Sequence, residues 1–216
     1  MLPAIEIDPT GPHRSSIIWL HGLGADGHDF APIATELMLP DTLGTRFILP
    51  HAPKRPVSIN GGFVMRAWYD IAYTDLGRTP DLEGISASLQ EVEALIENEK
   101  KKGIPAKKIL VAGFSQGGVL AMEAISQLQS GIGGAIALSG YLTKPERIPE
   151  AKGQQRLYLA HGTQDTIVPF ALGIQAKTDL EAKGYLVTWN EWHMAHTVCA
   201  EEISAIRSWI IETLAD

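Results

Sequence analysis

With 216 residues, 45% of them hydrophobic and 20% charged, the chain can build one domain around a substantial core, and its composition is not that of a disordered or fibrous protein. Acidic residues outnumber Lys and Arg by 25 to 18, and the densest basic run, Lys100-Lys101-Lys102, has no aromatic residues interleaved, which argues against nucleic acid as a partner. A single cysteine, Cys199, excludes an intrachain disulfide; the N-terminus lacks the basic and apolar regions of a secretory signal, and no apolar run approaches the roughly 18 residues of a membrane span, so a cytoplasmic protein without stable membrane insertion is expected.

In chain order, the first buried strand is predicted at Ser16–Leu20, followed by a glycine-rich loop, His21-Gly22-Leu23-Gly24-Ala25-Asp26-Gly27, and a second strand at Thr45–Leu49. Residues 52–83 break the rhythm: Pro53, Pro56, Gly61, Gly62 and Pro80 interrupt any period, while Phe63, Trp68, Tyr69 and Tyr73 argue for packing over something rather than disorder. Ile85, Leu89, Val92 and Ile96 then follow helical spacing, with Gly103 as the C-terminal cap and the three lysines complementing the helix dipole. Further strands are expected at Ile109–Gly113, Gly134–Leu138 and Leu157–Ala160, with Leu186–Trp192 nearer an edge. The helices between them carry Val119, Met122 and Ile125, then Leu172–Leu180 behind Pro169, then Ile203, Ile206, Ile210 and Leu214. The strands are continuous apolar runs, as required when both faces of a parallel sheet are covered. One α/β domain over residues 1–216, with helices on both faces of a mostly parallel sheet, is therefore expected, with 52–83 as a lid- or groove-like irregular segment.

Between the Ile109–Gly113 strand and its helix stands Gly113-Phe114-Ser115-Gln116-Gly117-Gly118, a G-x-S-x-G turn sharp enough to lift the Ser115 hydroxyl above the C-terminal edge of the sheet. A serine there becomes a nucleophile only beside a base, and in this chain order an acid and then a histidine should follow. His193 and His196 both lie between the last strand and the last helix; His196, in the loop proper, is preferred, with His193 solvent-facing or behind it, and His161 is read as shaping a turn. Asp165, in the turn after Leu157–Ala160, is the preferred acid, ahead of Glu146 and Glu150 in a Pro-rich loop and Asp179 in mid-helix. The backbone N–H groups of Gln116 and Leu23 are the expected oxyanion donors, the Leu23 side chain lining the acyl pocket. A phosphate loop is disfavoured there, because the segment has no lysine and Asp26 repels phosphate. The histidines suggest no ligand set with suitable carboxylates, so neither metal nor other cofactor is expected.

The assembled segments resemble the phospholipase/carboxylesterase family of α/β-hydrolases, which includes bacterial carboxylesterases and acyl-protein thioesterases. They are WLHGLGADGHDF at Trp19–Phe30, RFILPHAP at Arg46–Pro53, AWYDI at Ala67–Ile71, GFSQGG at Gly113–Gly118, ALSGYL at Ala137–Leu142, HGTQDTIVP at His161–Pro169 and MAHTV at Met194–Val198. The resemblance implies an α/β-hydrolase fold, a triad of Ser115, Asp165 and His196, and the same two oxyanion donors. It resolves the choice of histidine through Met194-x-His196-x-Val198, although Ala195 stands where relatives often have glycine. It also implies an apolar groove beside 52–83, with Trp68, Ile71, Tyr141 and Val168 as candidate substrate-binding residues, and a monomer or homodimer. The expected function is a serine carboxylesterase acting on short- to medium-chain esters; the alternative is an acyl-protein thioesterase or lysophospholipase acting on longer chains. A fold retained only for binding is the third reading.

Overall fold

The computed structural model describes residues 2–74, 77–129 and 131–215. In chain order its strands are β1 (Ala4–Ile7), β2 (Ser15–Leu20), β3 (Thr45–Pro50), β4 (Lys54–Val57), β5 (Phe63–Arg66), β6 (Ile71–Thr74), β7 (Gly77–Pro80), β8 (Ile109–Phe114), β9 (Gly134–Leu138), β10 (Arg156–Gly162) and β11 (Leu186–Trp192). Its helices are α1 (Gly27–Phe30), α2 (Ile33–Glu36), α3 (Leu82–Lys101), α4 (Gln116–Gln127), α5 (Phe170–Ala182) and α6 (Ala200–Ala215). Seven strands form one sheet in the order β1-β3-β2-β8-β9-β10-β11, parallel except for β1, which pairs antiparallel with β3.

The continuous apolar strands are explained by two cores. Along β2, Ile18 and Leu20 face the core shared with α3, α4 and α5, while Ile17 and Trp19 face the core shared with α2 and α6. The central strand β8 divides in the same way, Ile109 and Val111 to one side and Leu110 and Ala112 to the other. Each such fully buried aliphatic side chain contributes about 1.5–3 kcal/mol of burial, so both faces of the central strands hold the sheet in place. α3 is closed at its start by Asp81, whose carboxylate accepts the Gly84 N–H at 2.9 Å.

The fold differs from the sequence-based expectation in two places. The edge strand β1 was not expected; it is short, carries Glu6 and is only partly buried, so it lacks the apolar run that marks the central strands. The segment 52–83 is not irregular throughout: β4 pairs with β5 and β6 with β7, each antiparallel. Asn60-Gly61-Gly62 supplies the turn of the first hairpin, with Gly61 and Gly62 at φ 66° and 80°, a region open to glycine without a Cβ penalty. Asp75 and Leu76 of this segment, and the side chain of Tyr73, lie outside the described residues. On α6, Glu202 is wholly buried, and desolvation pushes its carboxyl up to about 8. Neither oxygen of the Glu202 carboxyl has a hydrogen-bond partner among the described residues.

Candidate active site

The loops that follow β2, β8, β10 and β11 meet at the C-terminal edge of the sheet, the edge where open α/β sheets bind ligands. Between β8 and α4 the chain reverses so sharply that Ser115 is held at φ 56°, ψ −115°, a conformation that costs a non-glycine residue of order 1–3 kcal/mol. Two glycines make this possible. A Cβ on Gly113 would lie 2.2 Å from the Gly117 carbonyl, and one on Gly117 would lie 2.1 Å from the Leu20 carbonyl oxygen. The Ser115 N–H donates to Leu138 O at 2.8 Å, anchoring the turn to β9.

The acid and the histidine meet through two loops tied to each other. Thr163 N–H donates to Trp192 O at 2.8 Å and Gln164 N–H to Met194 O at 3.0 Å. Gly162 admits the second loop, since a Cβ there would lie 2.4 Å from Met194 O. Asp165 is buried and accepts the N–H groups of Ile167 and Val168 on Oδ1, both at 2.8 Å, which leaves Oδ2 for His196 Nδ1 at 2.6 Å. The His196 ring packs against Phe114, centroids 4.6 Å apart, and shares one pocket with Ser115. His193 is exposed.

The loop after β2 forms the opposite wall. A Cβ on Gly22 would lie 3.5 Å from Ser115 Cβ, so the loop passes directly beside the elbow. His21 braces it: Ala52 N–H donates to its Nε2 at 3.0 Å, so the proton sits on Nδ1, which donates to Gly22 O at 2.7 Å. Burial lowers the ring's affinity for a second proton, in keeping with this neutral form. Gly24 N–H donates to Arg66 O at 2.9 Å, linking the loop to β5. The N–H of Leu23 in this loop and the N–H of Gln116 at the first turn of α4 have no acceptor among the described residues.

The pocket encloses about 410 Å³, a size suited to a small organic ligand. Of the residues singled out from sequence, Leu23, Ile71, Tyr141 and Val168 line it together with Ser115, Gln116 and His196. Trp68 does not. It is wholly buried behind the pocket, where its Nε1–H donates to His21 O at 2.8 Å, while its neighbour Tyr69 faces the pocket. Of the AWYDI motif it is Tyr69 and Ile71, not the larger Trp68 ring, that line the pocket. Gln116 fixes this arrangement, its Oε1 accepting Trp68 N–H at 3.1 Å and its Nε2 donating to Tyr69 O at 2.8 Å. Ile59 and Asn60 of the first hairpin and Ile167 beside Asp165 also line the pocket; nothing in their local sequence marks them.

The histidines do contribute to one cluster that the sequence reading did not foresee. Ligand atoms of Asp26, His28 and His51 lie within 4.8 Å of one another, because the turn entering α1 abuts the end of β3. These groups are already engaged. His51 Nδ1 accepts Gly27 N–H at 3.0 Å, His28 Nδ1 lies 2.9 Å from Asp26 Oδ1, and Arg66 Nε stands 3.8 Å from Asp26 Oδ2. Through these contacts the cluster braces the loop that carries Leu23.

A family model described as phospholipase/carboxylesterase matches residues 3–214. An acyl-protein thioesterase 1 of Yarrowia lipolytica is 34% identical over 223 residues, spanning 99% of this chain and 98% of that protein. A probable carboxylesterase of Oryza sativa is 34% identical over 97% of this chain and 82% of its own length. Among solved structures, an acyl-protein thioesterase 2 of Zea mays superposes with a TM-score of 0.79 at 28% identity, covering 99% of this chain and all of that one. Sequence, sheet order and the strand–turn–helix around Ser115 agree on an ester- or thioester-hydrolysing α/β-hydrolase, and the chain belongs to the phospholipase/carboxylesterase family.

Proposed function

We propose that the protein is a serine carboxylesterase that hydrolyses short- to medium-chain acyl esters through an acyl-enzyme on Ser115. The observation that carries this reading is the 2.6 Å contact between His196 Nδ1 and Asp165 Oδ2 beside a strained serine in one shared pocket. Asp165 holds the imidazole with Nδ1 protonated, which leaves Nε2 as the base toward the Ser115 hydroxyl. Ser115 Oγ attacks the acyl carbon, and the oxyanion that forms is met by the N–H groups of Leu23 and Gln116. His196 then returns the proton to the leaving alcohol or thiol, and water, activated by the same base, releases the acid. The pocket wall of Leu23, Ile71, Tyr69 and Val168 supplies apolar surface for the acyl chain. A second reading, hydrolysis of longer acyl chains from protein thioesters, is supported by the relatives named acyl-protein thioesterase.

Both readings share one test. A fluorophosphonate probe should label the wild-type protein at Ser115, and Ser115→Ala should lose label and at least about 10⁴-fold in turnover. Undiminished hydrolysis by Ser115→Ala refutes the mechanism. A series of p-nitrophenyl esters and matched acyl thioesters separates the readings: an optimum at short to medium chains supports the esterase, and a rising rate toward long-chain thioesters supports the alternative.

A further inference from the structure

The mechanism above leaves a second imidazole unused. His161, at the end of β10, is 1% exposed, and its Nε2 lies 2.8 Å from Val168 O. A carbonyl only accepts, so Nε2 carries the proton and points it into the Asp165–Pro169 turn. The same nitrogen lies 3.4 Å from Asp165 Oδ2, the oxygen that His196 contacts. Burial lowers this ring's own affinity for a second proton, so it presents a neutral N–H.

The ring sits in a built slot. A Cβ on Gly173 of α5 would lie 2.5 Å from His161 Nδ1, so a larger residue there would displace the imidazole. On another side the Phe170 ring meets it edge-on, centroids 6.0 Å apart. The charged and titratable groups facing the ring are Asp165 and, beyond it, His196. A turn-shaping histidine needs only the bond to Val168 O. The slot also holds a partial positive charge against the one carboxylate oxygen that orients the base.

We infer that His161 is a positioning residue for Asp165, its Nε2–H fixing the 165–168 turn and sharing the charge on Oδ2 with His196. The inference rests on the roles proposed above for Asp165 and His196. Without that N–H, more of the carboxylate charge falls on His196, so imidazolium at residue 196 is favoured over the neutral base that catalysis needs.

The test uses amide isosteres in the full-length protein. His161→Gln places an amide nitrogen near the Nε2 position; His161→Asn places it near Nδ1, one bond short of Asp165. The acid limb of the kcat/KM profile should move up by roughly half a pH unit in His161→Asn, the scale of one weak contact to a carboxylate. The rate should fall about tenfold, as for an outer partner that orients a reacting group. His161→Gln should stay near wild type, and Gly173→Ala, which keeps the imidazole but displaces it, should behave like His161→Asn. The downfield proton resonance of His196 Nδ1–H, read without turnover, should shift in the same two variants. An unmoved acid limb and resonance in both, whatever the rate, overturns the inference. A wild-type protein that shows no such resonance and no fluorophosphonate label instead refutes the proposed mechanism.

Discussion

Glu202 offers a test of the core that is independent of catalysis. Its carboxyl is wholly buried on α6 and stays protonated up to about pH 8, whereas in the unfolded chain it ionises near 4.5. Between those values the native state holds a proton that the unfolded state has released, so stability falls as pH rises through the window and levels off above it. The span corresponds to about 5 kcal/mol at roughly 1.4 kcal/mol per pH unit, of which about 2 kcal/mol falls between pH 6 and pH 8. Glu202→Gln keeps the size and shape of the side chain and removes the ionisation. Buried His21 and His161 act in the opposite direction, since their affinity for protons is lowered on folding and stability is lost as the pH falls. They act equally in both proteins and cancel in the comparison. The melting temperature of Glu202→Gln minus that of wild type should therefore grow by roughly 4–8 °C from pH 6 to pH 8. A difference that does not change with pH, measured by scanning calorimetry, would refute the assignment of a protonated buried carboxyl.

Two further substitutions probe how the site is held. Gly117→Ala drives a Cβ to 2.1 Å from Leu20 O, in a contact between α4 and β2 that neither backbone can relieve; it should cost about 3 kcal/mol or more by urea unfolding. Trp68→Phe keeps most of the buried ring but leaves His21 O without its donor; it should lower stability by about 1–2 kcal/mol and reduce kcat more than it raises KM, read by steady-state kinetics on a p-nitrophenyl ester.

The sequence made legible what depends on local rules. β8 and β2 are recognisable because their successive apolar residues feed two cores, and the turn at Ser115 because glycines flank a serine between strand and helix. What escaped depends on partners distant in the chain. Ile59 lines the pocket only because the first hairpin folds over the elbow, and Trp68 is hidden only because Gln116 holds the backbone at residues 68 and 69. Glu202 is an acidic residue in the first turn of a helix, which normally marks a solvated end; its burial follows from where α6 lies on the sheet. In sequence His161 is only a turn residue after a strand, and its proximity to Asp165 emerges once β10 and the following loop are in place.

The double grip of Gln116 on the chain at Trp68 and Tyr69 has a consequence for how such an enzyme can diversify. A residue that lines the pocket is clamped by its own side chain to the backbone that carries one of the walls. Under the proposed role of Gln116 as an oxyanion donor, selection for a new acyl group acting at Tyr69 tugs on the same lever as selection for rate, and the two traits are inherited together. Ile59, on a separate hairpin tip, is free of that linkage. Changes of diet should accumulate there first, at little cost in speed.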